Sequence, residues 1–197
     1  DAGMSGNADK LLSFIKELNR RPSDLETIVI THCHMDHADS AAELKERTGA
    51  EIAIHESEAP YLSGQEDVES PKGIIGFLFR VFGRFFSFRK VEPDILLKDG
   101  DQVGPLRVVH VPGHTRGSIG LYLPGKALLA GDSLTTDRNG NIDLPSRQFT
   151  VDMGKAKESM RMMAGLDFEV LLPGHGSPVW AGGSEKLRDY VSRPNFI

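Results

Sequence analysis

An α/β fold is the class this sequence predicts, on three observations. The first half alternates apolar strand-like runs with amphipathic helical runs. The second half is built from short β-rich runs broken by glycine-containing turns. Five of the apolar runs end in, or are closely followed by, a histidine or an aspartate, three of these beside a glycine.

Taken in order, Asn7 to Arg20 places Leu11, Leu12, Phe14, Ile15 and Leu18 on one helical face, and Pro22 with Ser23 ends that helix. Leu25 to Ile30 reads as a buried strand. A second helix runs through Ala41, Ala42, Leu44 and Arg47 and stops at Gly49, a C-terminal glycine. Glu51 to His55 is the next strand. Farther on, Leu106 to Val111 is a strand. Ser118 to Leu123 and Lys126 to Ala130 alternate around Pro124-Gly125 as a hairpin. Asn139-Gly140 marks another turn. A helix is expected from about Asp152 to Ala164, then a strand from Phe168 to Leu172, and a last helix capped by Ser184.

The 197 residues suit a single domain and carry a net charge of −5, which disfavours nucleic acid as a partner. One cysteine, Cys33, allows no disulfide within the chain, and no apolar run approaches the ~20 residues of a spanning helix, so a cytoplasmic protein is expected. The chain opens on Asp1-Ala2-Gly3, which reads as a strand-ending turn with its strand missing.

The chemistry is concentrated in His32-Cys33-His34-Met35-Asp36-His37, directly after the first strand. In a helix, His32 and His34 would face nearly opposite ways, whereas an extended turn aims both at one point. Asp36 and His37 then open the following helix. Imidazoles and a carboxylate suit zinc, iron or manganese, and two histidines alone do not complete a catalytic site. His114, Asp132 and His175 supply further ligands of the right type, each at a strand end beside a glycine that lets backbone approach closely.

In these motifs, His32-x-His34-x-Asp36-His37, Pro112-Gly113-His114-Thr115, Ala130-Gly131-Asp132 and Pro173-Gly174-His175-Gly176, the chain resembles the metallo-β-lactamase fold superfamily, in order and over nearly its whole length. Asp1-x-Gly3 is similar to that family's early strand-end motif. The resemblance implies a four-layer αββα sandwich and one metallo-β-lactamase-like domain over 1–197, with a Phe-rich insertion at about 63–98. It implies two divalent metal ions, zinc before iron or manganese. His32, His34 and His114 hold the first, Asp36, His37 and His175 the second, and Asp132 bridges them. The implied reaction is hydrolysis of a small ester-like substrate (a thioester, lactone or related acyl compound) by a metal-bridging hydroxide, because paired cations lower the pKa of water from ~16 toward ~7. Asp36 would orient that nucleophile or pass its proton on. Thr115 and Ser133 are expected to steady the histidines. The Pro112-to-Ser118 stretch is similar to glyoxalase II-like and lactonase-like members. A rival implication is a persulfide dioxygenase-like enzyme with a single iron.

His55, His110 and Cys33 read as structural, and Arg116 as a solvated side chain. Residues 73–90 hold six of the ten phenylalanines, and Ile74, Phe77, Leu78, Val81, Phe82 and Phe85 recur there at helical spacing. They read as a wall over the substrate pocket, with a homodimer interface or a membrane-surface contact as alternatives. The expected partner is a small molecule.

Overall fold

A computed structural model describes residues 1–67 and 89–196. The Phe-rich stretch 73–90 therefore lies outside the described residues, Arg89 and Lys90 excepted. The described chain forms two compact units, Asp1–Leu97 and Lys98–Ile197.

In the first unit, α1 (Ala8–Glu17) ends earlier than the periodicity suggests, because Asn19 turns into a positive φ of 56° and Pro22–Asp24 forms a single 3-10 turn. Strand β1 (Thr27–Ile30) leads into a one-turn helix α2 (Met35–Ala38), then α3 (Ala41–Thr48). Gly49 closes α3 at φ 78°, the left-handed terminator its position foretells. Strand β2 (Glu51–His55) follows, then α4 (Ala59–Ser63) and β3 (Ile95–Leu97), neither of which the sequence pattern announces. The three strands pair in parallel in the order β1-β2-β3. Both faces of such a sheet are covered, so β2 reads almost continuously buried rather than alternating. Ile30, Ile52, Ile54, Leu44 and Leu62 form its core, and burying each of these side chains contributes roughly 1.5–3 kcal/mol.

The second unit contains β4 (Gln102–Val103), β5 (Leu106–His110), β6 (Ile119–Leu123) and β7 (Ala127–Gly131). After a small antiparallel pair, β8 (Thr135–Thr136) and β9 (Ile142–Asp143), come α5 (Met153–Ala164), β10 (Val170–Pro173) and α6 (Gly183–Val191). The sheet order is β10-β7-β6-β5-β4. β10 runs parallel to β7, and β5, β6 and β7 run antiparallel in turn. Consequently β5, β7 and β10 all point the same way, and their C-terminal ends share one edge of the sheet. Asp152 caps α5 by accepting the Lys155 N–H at 3.0 Å. Ser184 does not cap α6: the cap is Gly182 at φ 65°, which places Ser184 inside the first turn, buried, its N–H on the Phe168 carbonyl. Phe168, Leu128, Met160, Met163, Leu171 and Leu187 make this unit's core.

Candidate metal centre

The first unit's group grows out of the end of β1. The chain bends out of the sheet at Thr31 and His32, and His34 is extended, at φ −90° and ψ 154°, before α2 begins. In that conformation His32 and His34 turn toward each other, His32 Nε2 lying 3.1 Å from His34 Nδ1. Asp36 and His37 occupy the first turn of α2, with Asp36 Oδ2 3.7 Å from His37 Nε2. Cys33 points into the core, fully buried, and its N–H donates to Glu58 Oε2 at 2.8 Å. Burial, reinforced by the Glu58 charge, pushes the Cys33 thiol up, so it offers no thiolate at neutral pH.

Asp1 organises this group. Its carboxylate accepts the Thr31 N–H at 2.6 Å and the Thr31 hydroxyl at 2.9 Å. It also lies 2.8 Å from His37 Nδ1. An ionised carboxylate only accepts, so His37 Nδ1 is the donor. The Thr31 hydroxyl has spent its one proton on Asp1, so at 3.1 Å its oxygen accepts from His32 Nδ1. Both rings thereby carry their proton on Nδ1, the tautomer in which Nε2 could ligate an ion.

The second unit's group sits on its shared sheet edge. His114 follows β5, Asp132 follows β7 and His175 follows β10. The parallel pairing of β7 with β10 continues past the strands, where Gly174 N–H donates to the Gly131 carbonyl at 2.7 Å. Asp132 and His175 therefore arrive side by side. Asp132 Oδ2 lies 3.3 Å from His175 Nε2 and 3.5 Å from His114 Nε2. His114 and Asp132 are buried, whereas the His175 side chain is 52% exposed.

Glycine allows two of these approaches. A β-carbon on Gly113 (φ 137°) would sit 2.2 Å from the Ala156 nitrogen, and one on Gly176 (φ 99°) 1.9 Å from the Thr136 carbonyl oxygen. Neither position tolerates a side chain.

The two residues expected to steady the histidines do something else. The Thr115 hydroxyl pairs with Ser118 Oγ at 2.8 Å and ties its own turn, while Ser133 Oγ is buried without a hydrogen-bond partner among the described residues. Thr31, Asp1 and Thr150 touch the rings instead, Thr150 Oγ1 lying 3.3 Å from His114 Nδ1. Thr150 lies 36 residues from His114 and carried no sequence signal. His55 Nδ1 accepts the Ser57 N–H at 3.2 Å, and His110 Nε2 meets the Arg116 carbonyl at 2.9 Å.

The donor chemistry fits a divalent ion. A tetrahedral ion about 2.0–2.1 Å from each ligand spaces its donors by about 3.3 Å. Within the two units the facing donor pairs lie 3.1, 3.3, 3.5 and 3.7 Å apart.

A model of the metallo-beta-lactamase superfamily matches residues 1–175. The chain belongs to the metallo-β-lactamase superfamily. Its α/β sandwich class is that of the family's solved members. A solved structure, TTHA1623 in a di-iron-bound form, matches with a TM-score of 0.65 at 23% identity, over 90% of this chain and 81% of that one. The chain is 32% identical to the probable metallo-hydrolase YflN of Bacillus subtilis, over 91% of itself and 75% of the relative. It is 25% identical to hydroxyacylglutathione hydrolase GloC of Haemophilus influenzae, over 95% of itself and 84% of the relative. As a metallo-β-lactamase-fold protein with these relatives, it is a metal-dependent hydrolase. The family binds divalent metals, and both histidine–aspartate groups of this chain could serve as ligands. Among the described residues no helix is long and apolar enough to cross a membrane.

Proposed function

We propose that the two groups work as one dinuclear centre hydrolysing a small ester-like bond in a thioester, lactone or related acyl compound. His32, His34 and His114 would hold one ion, Asp36, His37 and His175 the other, with Asp132 serving both. The observation that carries this reading is Asp132, whose one oxygen faces two imidazole Nε2 atoms of its own unit, at 3.5 and 3.3 Å. Zinc is favoured by the nitrogen-rich donor set, with iron or manganese as the other candidates. When bound, such a pair supplies Lewis acidity and a nucleophile at neutral pH.

The chain's own side chains do the rest. Asp1 and Thr31 hold His32 and His37 in their ligating tautomers. The Asp36 side chain is 40% exposed, which leaves it reach to orient a nucleophile or carry a proton to the leaving group. Half-exposed His175 gives a small substrate an open approach on its side. The acyl preference draws on GloC, a hydroxyacylglutathione hydrolase, and on the chain's net charge of −5, which suits a small substrate better than nucleic acid. The test is a screen of the zinc-loaded protein against acyl-thiol esters, lactones and phosphodiesters. Turnover of an acyl substrate supports the reading. Activity confined to phosphodiesters, or oxygen consumption with one iron per chain, overturns it.

A further inference from the structure

We propose that Thr150 is a positioning residue whose hydroxyl locks His114 in the tautomer that offers Nε2 to a metal ion. The reasoning is a count of protons. Thr150 Oγ1 lies 2.7 Å from the Ser146 carbonyl oxygen, an acceptor with no proton to give. A hydroxyl has one proton, and the shorter contact takes it. Toward His114 Nδ1, 3.3 Å away, Thr150 therefore presents only lone pairs, so the ring proton must sit on Nδ1.

The opposite arrangement is worse. Turning the Thr150 hydroxyl to the ring gives up its 2.7 Å bond. It also moves the imidazole proton to Nε2, the nitrogen that faces Asp132 Oδ2 at 3.5 Å. An imidazole left to itself prefers its proton on Nε2, the state that blocks the ligating nitrogen. Thr150 thus opposes the ring's own preference.

The backbone reinforces the device. Val151 N–H donates to the His114 carbonyl at 3.1 Å, and Asp152 N–H to the Gly113 carbonyl at 2.9 Å. The segment carrying Thr150 is thereby pinned to the residue it orients. Thr150 and His114 are both buried, so water is a poor substitute for the hydroxyl. Asp1 and Thr31 impose the same tautomer on His37 and His32 in the first unit, by a separate set of atoms.

This inference rests on His114 being a metal ligand, and its test separates the two ideas. Nitrogen-15 spectra of the metal-stripped full chain read the His114 tautomer directly. The wild type and Thr150→Ser should carry the proton on Nδ1, and the isosteric Thr150→Val should shift it toward Nε2. Zinc affinity, measured by chelator competition, should fall about 10–100-fold in Thr150→Val and stay near wild type in Thr150→Ser. A wild-type ring protonated on Nε2, or a Thr150→Val ring still protonated on Nδ1, overturns the proposal. A shifted tautomer with unchanged zinc affinity upholds the role of Thr150 and overturns His114 as a ligand.

Discussion

Replacing Gly113 by alanine tests whether the close packing beside His114 matters. The added carbon would lie 2.2 Å from the Ala156 nitrogen, 2.4 Å from its Cα and 2.7 Å from its Cβ. Ordinary contact needs more than 3.4 Å, so the loop and the start of α5 must separate by about 1 Å. The backbone at φ 137° is open to glycine alone, and forcing alanine into it costs about 1–3 kcal/mol. Overpacking against the helix adds about 1–3 kcal/mol. The sum, about 2–6 kcal/mol, is a large part of a typical stability of 5–15 kcal/mol. A displacement of about 1 Å at His114 should also cost about 100-fold in turnover. Guanidinium unfolding and steady-state kinetics measure both. A loss under about 1 kcal/mol with unchanged turnover would refute the reasoning.

His34→Ala and Asp132→Ala should abolish turnover while leaving the metal-free chain about as stable as wild type; retained activity would remove both from the centre. Tyr190, whose hydroxyl donates to Asp143 at 2.8 Å, is pushed up to about 12 by burial and then by that bond. A raised value in the folded state means its contribution is complete below pH ~10 and is lost as pH climbs toward 12. Stability should fall across that window, and Tyr190→Phe should flatten the fall; identical pH profiles for both proteins would contradict the assignment. Cys33 is fully buried and its thiol is raised by burial, so a thiol reagent at pH 8 should label unfolded protein only. Rapid labelling of the folded protein would place Cys33 elsewhere.

Sequence pattern revealed the ligand-type residues because their chemistry is local: four sit within six positions, and the others sit beside glycines that punctuate strands. The same holds for α3 and its Gly49 stop, and for the β6–β7 hairpin around Pro124-Gly125, where the signal lies inside the element. Short β3, β4 and α4 escaped because two to five residues carry too little periodicity. The Ser184 cap was misread because a glycine in the left-handed region did that work one residue before the helix. Thr150 and Glu58 were invisible for a different reason. Their partners lie 36 and 25 residues away, and such pairings exist only once the chain has folded. Asp1 was recognisable by resemblance, but its grip on Thr31 and His37 was not.

Metal content measured by elemental analysis on protein purified without added chelator bears most directly on a dinuclear centre. About two divalent ions per chain, falling to one or none in Asp132→Ala, is the expected result. A wild-type chain that holds no metal, or a single iron unaffected by loss of Asp36 and His37, would contradict it.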